Sequence, residues 1–143
     1  MTALDSLTKD GLSLGIELPL DNDLARRDVS GQGLFPDLTR HQERAQLADR
    51  LGFRALWLRD VPMWRPRDFG DAGQIFDPIP YLGYLAASTE HILLGTAGIV
   101  LPLRHPVALA KEAATVDVLS GGRLLLGLAA ADLLRQDPGL QIV

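Results

Sequence analysis

The chain has 143 residues and a formal net charge of −4; 47% of its residues are hydrophobic, 22% are charged and none is cysteine. This composition is typical of one soluble globular domain, and it excludes disulfides, thiolate metal sites and cysteine catalysis. A basic stripe is missing, which argues against nucleic-acid binding. The most apolar stretch, Ile92–Leu103, is too short to cross a bilayer, and the N-terminus has no signal-like apolar run. We therefore expect a cytoplasmic protein that binds neither nucleic acid nor membrane.

The first third of the chain predicts a strand, a long loop and a helix. Residues 12–20 are rich in leucine and isoleucine, which is typical of a short buried strand. Residues 21–37 carry the aspartate, glycine and proline of a loop. The helix is expected to begin at Thr39, which with Gln42 fits a capping box, and to stop at Gly52.

The middle of the chain predicts two further strands around a second helix. Phe53–Arg59 and Ile92–Val100 are apolar runs that indicate strands. Between them lie a long loop at residues 61–78 and a helix from about Pro80 to Thr89. Loops of this length in a compact domain are usually functional or disordered.

The last regular elements are a third helix and a fourth strand. The helix is expected to open at Pro106, a favoured first position, and to stop at the glycines after Ser120. Arg123–Ala129 predicts the fourth strand, which makes Ser120–Arg123 a helix-to-strand turn. The apolar face of this helix is expected to comprise Val107, Ala110, Ala113, Ala114 and Val118.

The order of these elements is strand-helix repeated, with strands that are apolar almost throughout. Such a pattern indicates a parallel sheet covered by helices. It leaves two architectures open, an open doubly wound sheet or part of a closed (β/α)8 barrel. No G-x-G-x-x-G follows the first strand, which weakens the dinucleotide-binding version.

Five ordered motifs resemble the luciferase-like monooxygenase family. They are Leu56-Trp57-Leu58, Asp77-Pro78, Leu94-Gly95-Thr96-Ala97, Leu101-Pro102-Leu103-Arg104-His105-Pro106 and Asp117-Val118-Leu119-Ser120-Gly121-Gly122-Arg123. The resemblance covers residues 12–129, about the first half of a family member. Residues 130–143 are expected to form a divergent tail of one partial domain, as a truncated gene, a frameshift or a stand-alone half would produce.

The resemblance implies the N-terminal half of a (β/α)8 barrel, with about four parallel strands and three covering helices. It implies a reduced flavin, FMN or the deazaflavin F420, at the C-terminal mouth of the strands, and a small organic substrate. Many family members insert one oxygen atom into the substrate, which requires a pocket that excludes water. The alternatives are an inactive half-barrel that homodimerises, or hydride transfer with F420.

The resemblance also implies individual flavin contacts. Thr96, Ala97 and Gly98 are expected at the flavin, with Ala97–Gly98 at the place where the family often has a non-proline cis peptide. Ala129, at the end of the fourth strand, is a further candidate contact. In bacterial luciferase a Glu-His-His run after the second strand holds the catalytic histidine; here Val61 replaces that histidine, so strict luciferase chemistry is not expected.

Four other residues are candidates from position alone. Asp60 lies where a barrel strand meets the catalytic face, although an aspartate there also caps local amides. Glu17, near the end of the first strand, is a candidate substrate contact; as a buried strand carboxylate it would need a partner, which Arg59 or Arg104 could supply. His105 could act as an acid or base, but a histidine before proline more often caps a helix. Trp64, in the long loop, is a candidate lid contact.

The remaining histidines suggest no metal site. His41 is expected to be solvated on the polar side of the first helix, and His91 to lie in a turn at the opposite end of the sheet from the catalytic face. Together with His105 they are too scattered along the chain for metal-ligand spacing.

Overall fold

The computed structural model describes residues 3–8, 12–18, 40–61 and 76–130. The helices are α1 (Ala3–Thr8), α2 (His41–Arg50), α3 (Pro78–Ser88) and α4 (Pro106–Ser120). The strands are β1 (Gly15–Leu18), β2 (Ala55–Leu58), β3 (Leu93–Thr96), β4 (Ile99–Val100), β5 (Leu124–Leu125) and β6 (Leu128–Ala129). Across these ranges, no helix combines the length and the apolar character that a membrane span requires.

The main sheet has the strand order β1-β2-β3-β5, and every pair in it is parallel. A second parallel pair, β4 and β6, follows β3 and β5 along the chain. Helices α2, α3 and α4 connect the successive strands. This is the arrangement of the first four strand positions and the three helices between them in a (β/α)8 barrel, and it confirms the expected parallel α/β class.

The core lies between the sheet and helices α2 to α4. Its fully or nearly fully buried side chains include Leu18, Leu56, Leu58, Leu94, Ala45, Ala48, Leu82, Leu85, Leu109 and Val116. Ala45 and Ala48 of α2 and Leu82 and Leu85 of α3 face this core, whereas Leu51, at the end of α2, is exposed. The strand residues in this set share one face of the sheet, because residues in parallel register point to the same side.

The third and fourth strands are each interrupted, whereas the sequence predicted two continuous strands. Ala97 and Gly98 separate β3 from β4, and Gly98 has a φ of 132°, a conformation that favours glycine. Leu126 and Gly127 separate β5 from β6 in the same way. The apolar run of β3 and β4 does not reveal its break, because the strand residues on both sides of it are buried.

The buried face of α4 differs from the predicted one, of whose five residues Ala113 alone is buried. Val107 and Val118 are 71% and 78% exposed, while Leu109 and Val116 are buried. Apolar residues occur on several sides of this helix, so two stripes satisfied the helical period. The stripe that contains the leucine buries more apolar surface, and it is the one that faces the core.

The helix starts also differ in detail. Helix α2 has Arg40 at its N-cap with no side-chain cap bond; Thr39, the predicted capping residue, lies outside the described residues. Helix α3 begins at Pro78 rather than Pro80, because the Asp77 side chain accepts a hydrogen bond from the Ile79 amide at 2.9 Å. Such an N-cap satisfies a donor that the helix leaves without a partner.

Arg123 joins three elements at the N-terminal end of the sheet. Its guanidinium donates to the Ser120, Ile92, Ala86 and Thr89 carbonyls and to the Thr89 hydroxyl, at 2.7–3.0 Å. Burial lowers the pKa of Arg123. The predicted turn at Ser120–Arg123 is confirmed, and its arginine is a structural anchor.

Asp49 secures the same end from α2. Its carboxylate accepts hydrogen bonds from the amides of Glu90, His91 and Ile92 at 2.7, 3.2 and 2.9 Å. The turn before β3 is thereby held by a side chain more than 40 positions earlier. His91 lies in this turn and is exposed, as expected.

Candidate functional site at the C-terminal ends of the strands

The sheet face opposite the helices carries a row of residues from β1, β2 and β3. Glu17, Trp57 and Gly95 are in register across β1, β2 and β3. The Ala97 amide donates to the Leu58 carbonyl at 2.7 Å, which continues this register and places Ala97 beside Arg59. In a closed barrel this face looks towards the axis.

The indole of Trp57 lies flat across this face. A Cβ built on Gly95 would lie 2.5 Å from Trp57 Cε3, and one built on Gly15 would lie 2.6 Å from Trp57 Nε1. The two glycines therefore provide the space that the ring occupies. Trp57 is part of the packing of the inner face.

Glu17 forms an ion pair with Arg59. Of the two partners that the sequence left open, Arg59 is the one used. The Glu17 side chain is 48% exposed and that of Arg59 is 28% exposed. The pair thus lies at the accessible surface of the inner face, at the level where β1 and β2 end, and Glu17 is not the buried carboxylate that was expected.

Asp60 is held in a network that does not involve its local amides. Its Oδ2 accepts a hydrogen bond from the Val100 amide at 2.9 Å, and its Oδ1 accepts one from Arg104 at 2.9 Å. Arg104 also contacts the Asp77 carboxylate at 2.8 Å. Burial alone would lower the pKa of Arg104, but Asp60 and Asp77 outweigh it and raise the pKa. The network joins the end of β2 to β4 and to the start of α3.

The backbone at Ala97 and Gly98 forms a ledge at the end of β3. Ala97 is exposed and Gly98 is half-buried. A Cβ on Gly98 would lie 3.1 Å from the Cβ of Ala129, so the two expected contacts Gly98 and Ala129 are neighbours. We call Ala97, Gly98 and Ala129 the ledge.

Thr96 supports the ledge through hydrogen bonds to the backbone of Gly127. Its hydroxyl donates to the Gly127 carbonyl and accepts from the Gly127 amide, both at 2.9 Å, and the residue is 1% exposed. A Cβ on Gly127 would collide with the Thr96 carbonyl oxygen. The hydroxyl of Thr96 therefore links the end of β3 to the segment between β5 and β6.

The other candidates lie apart from the ledge or outside the described residues. His105 is exposed and occupies the N-cap of α4 without a side-chain cap bond. Trp64 lies outside the described residues. Within the described ranges, no group of three potential metal ligands occurs.

Three features near the C-terminal ends of the strands were not predicted from the sequence. His41 is buried rather than solvated, with Nδ1 2.5 Å from the Tyr81 hydroxyl. Arg104 binds the two aspartates rather than Glu17. Arg59 was considered only as a partner, although the order of the strands places it beside the ledge. Register could have revealed Arg59, because it follows Trp57 by two positions.

Comparison with known proteins agrees with this geometry. The sequence model described as luciferase-like monooxygenase matches residues 14–136. A flavin-dependent trigonelline monooxygenase, oxygenase component, from Acinetobacter baylyi is 40% identical over 89 residues, covering 61% of this chain and 22% of that protein. An F420-dependent glucose-6-phosphate dehydrogenase from Beutenbergia cavernae is 35% identical over 94 residues, covering 64% and 27%.

The fold is also found in solved structures. The monooxygenase RslO1 from Streptomyces bottropensis superposes with a TM-score of 0.64 at 27% identity, covering 84% of this chain and 33% of that one. The chain thus spans about a quarter of the length of the curated relatives it matches. Since the family match extends over most of the sequence, the chain belongs to the luciferase-like monooxygenase family.

Proposed function

We propose that this chain supplies the first half of the cofactor pocket of a flavin-dependent oxidoreductase that acts on a small organic substrate in the cytoplasm. The observation that carries the proposal is the exposed ledge at the C-terminal end of β3. Active sites of (β/α)8 barrels lie at this end of the strands. Monooxygenation with reduced FMN is the preferred chemistry, and hydride transfer with F420 is the alternative.

The residues of the ledge suit a flat ring system in shape. Ala97 and Gly98 have little or no side chain, so a planar ring can approach their backbone closely. A reduced flavin, when bound, supplies the electrons for the reaction. Thr96 contributes by holding the ledge through Gly127, and the hydrogen bond from the Val100 amide to Asp60 fixes the neighbouring β4.

The substrate side of the proposed pocket is the inner face around Glu17 and Arg59. This pair places a carboxylate and a guanidinium beside Ala97. We propose that they orient the substrate, with Trp64 as a lid residue. Asp60 is assigned a positioning role, because its two oxygens are bonded to Val100 and Arg104. His105 stays a candidate proton donor or acceptor.

The cofactor choice follows from the named relatives. One is flavin-dependent and another is F420-dependent, so their names support both cofactors. The flavin-dependent relative is the more similar of these two in sequence. Anaerobic turnover with F420 and without oxygen consumption would favour the hydride-transfer alternative.

The direct experiment is a titration of reduced and oxidised FMN and of F420 into the purified chain, followed by cofactor fluorescence. Saturable binding below about 100 μM is expected, which corresponds to more than about 5 kcal/mol. Ala97→Leu should abolish it by covering the ledge, whereas Ala108→Leu, at an exposed position on α4, should not. Absence of saturation by either cofactor at high micromolar concentration would refute the proposal for this polypeptide.

A second candidate function, an inactive half-barrel that forms a homodimer, is favoured by the open edges of the sheet. Among the described residues, β1 and the β5–β6 side each have a strand neighbour on one side only. Leu14, just before β1, is 61% exposed, and Leu128 in β6 is 52% exposed. Unpaired edges promote association, and two copies would provide eight strand positions.

Sedimentation velocity at two protein concentrations tests this candidate. A dimer that Leu128→Lys converts to a monomer is expected, since a charge at the edge opposes strand pairing. A wild-type monomer at high concentration would contradict it.

A further inference from the structure

A cavity of about 720 Å³ lies between the N-terminal halves of α2 and α3, on the helix side of the sheet. Its walls include Gln42 and Gln46 from α2, and Phe76, Tyr81 and Tyr84 from the α3 side. This volume is within the range of cavities that bind small organic molecules. The ledge is at the opposite, inner face, so the cavity is a separate feature.

The α3 wall is a series of aromatic rings. Phe76 and Tyr81 have ring centroids 4.9 Å apart with an interplanar angle of 55°, and Tyr81 and Tyr84 are stacked at 6.2 Å and 23°. Tyr84 is 47% exposed, so one face of its ring borders open space. A planar aromatic ligand can continue this stack, since offset ring pairs are favourable.

The charges that border the cavity are neutralised within the protein. Glu43 is bound by the Arg40 guanidinium at 2.6 and 2.9 Å, and the Asp77 carboxylate by Arg104 at 2.8 Å. Burial raises the pKa of Tyr81, so its phenol stays neutral. Among the lining residues that the structure describes, a ligand with a net charge would therefore meet no unpaired opposite charge, and its desolvation would be unfavourable.

The α2 wall presents two amides. Gln42 and Gln46 are four residues apart on one face of the helix and both border the cavity. A carboxamide both donates and accepts hydrogen bonds, so this wall matches polar substituents that are not ionised.

We infer that this cavity binds an uncharged one- or two-ring aromatic molecule that carries hydroxyl or carboxamide groups. The ring stacks on Tyr84 and its polar groups bond to Gln42 and Gln46. The site does not depend on the flavin proposal. Asp77 and Arg104, which connect the cavity wall to Asp60 at the strand ends, provide a physical path between the two sites.

The test is a fluorine NMR titration of the full chain with three probes of similar size at pH 7: neutral 4-fluorophenol, anionic 4-fluorobenzoate and cationic 4-fluorobenzylammonium. Saturable binding of the phenol is expected, with the two ions at least about tenfold weaker, a difference of about 1.4 kcal/mol. Equal binding of all three probes, or no saturation by the phenol, would overturn the inference.

Two variants locate the binding. Tyr84→Ala and Gln46→Leu should each weaken phenol binding about three- to tenfold, as expected for loss of one stacking or hydrogen-bonding contact. Val118→Ala, at an exposed position on α4, is the control and should not change it. Unchanged binding in Tyr84→Ala and Gln46→Leu, with folding verified by circular dichroism, would place the ligand elsewhere and reject the site.

Discussion

The ring of Trp57 fills the space that Gly95 leaves open, since a Cβ at Gly95 would lie 2.5 Å from Trp57 Cε3. Gly95→Ala is therefore expected to lower the free energy of unfolding by about 1–3 kcal/mol through overpacking. Urea denaturation measures this change. Gly83→Ala is the matched control, because no atom lies within 4 Å of a Cβ there and α3 favours alanine. Equal stability of the two variants would contradict the packing of Trp57.

Arg123 is expected to be the most sensitive arginine in the described chain. Arg123→Met removes five hydrogen bonds to α3, β3 and the end of α4, and it leaves buried carbonyls without donors. The loss should be about 2–4 kcal/mol in the free energy of unfolding. Arg50→Met, at an exposed position on α2, should change stability by less than about 0.5 kcal/mol. Denaturation of both variants checks this, and similar losses would refute it.

The two aspartates that bind Arg104 should differ in their effect. The Asp60 side chain is 2% exposed and that of Asp77 is 45% exposed. Asp60→Asn should lower the free energy of unfolding by about 2–4 kcal/mol, because it leaves a partly buried guanidinium with one carboxylate. Asp77→Asn should cost about 1 kcal/mol or less, since solvent screens that pair. Thermal unfolding gives the order, and the reverse order would show that the network is not centred on Asp60.

Variants at Thr96 and Ala97 should have separate effects, one on stability and the other on cofactor binding. Thr96→Val keeps the branched shape and removes the hydroxyl that bonds Gly127 twice, so it should lower the free energy of unfolding by about 1–3 kcal/mol. Its effect on flavin affinity should be less than about twofold, well under 1.4 kcal/mol. Ala97→Leu should abolish flavin binding and leave the free energy of unfolding nearly unchanged. A loss of flavin affinity in Thr96→Val without any loss of stability would place the hydroxyl at the cofactor.

Local sequence patterns were enough to predict the strands and helices, but they predicted the candidate site only in part. Apolar runs, Pro106 and the glycines after α2 and α4 were enough to predict four strand regions and three helices. The motifs also led to the expectation that Ala97 and Gly98 contact the flavin, which stays a prediction. The burial of His41 depends on Tyr81, 40 positions away, and no local pattern signals such a contact.

The same limit applies to Asp60. Its position at a strand end was predicted, but its partners Val100 and Arg104 come from the break after β3. That break was hidden in a continuous apolar run. Long-range partners of polar side chains are therefore what the sequence left undetermined.

The bonds that Arg123 and Asp49 make to the backbone have a consequence for how this half-barrel can change. Both act at the end of the sheet remote from the ledge, and neither needs any residue near Ala97 to form its bonds. Random variation confined to Glu17, Arg59 and Ala97, which are exposed or half-buried, should therefore yield a library in which most members still fold. New substrate preferences can then be selected at the C-terminal ends of the strands, while the end held by Arg123 and Asp49 keeps its sequence.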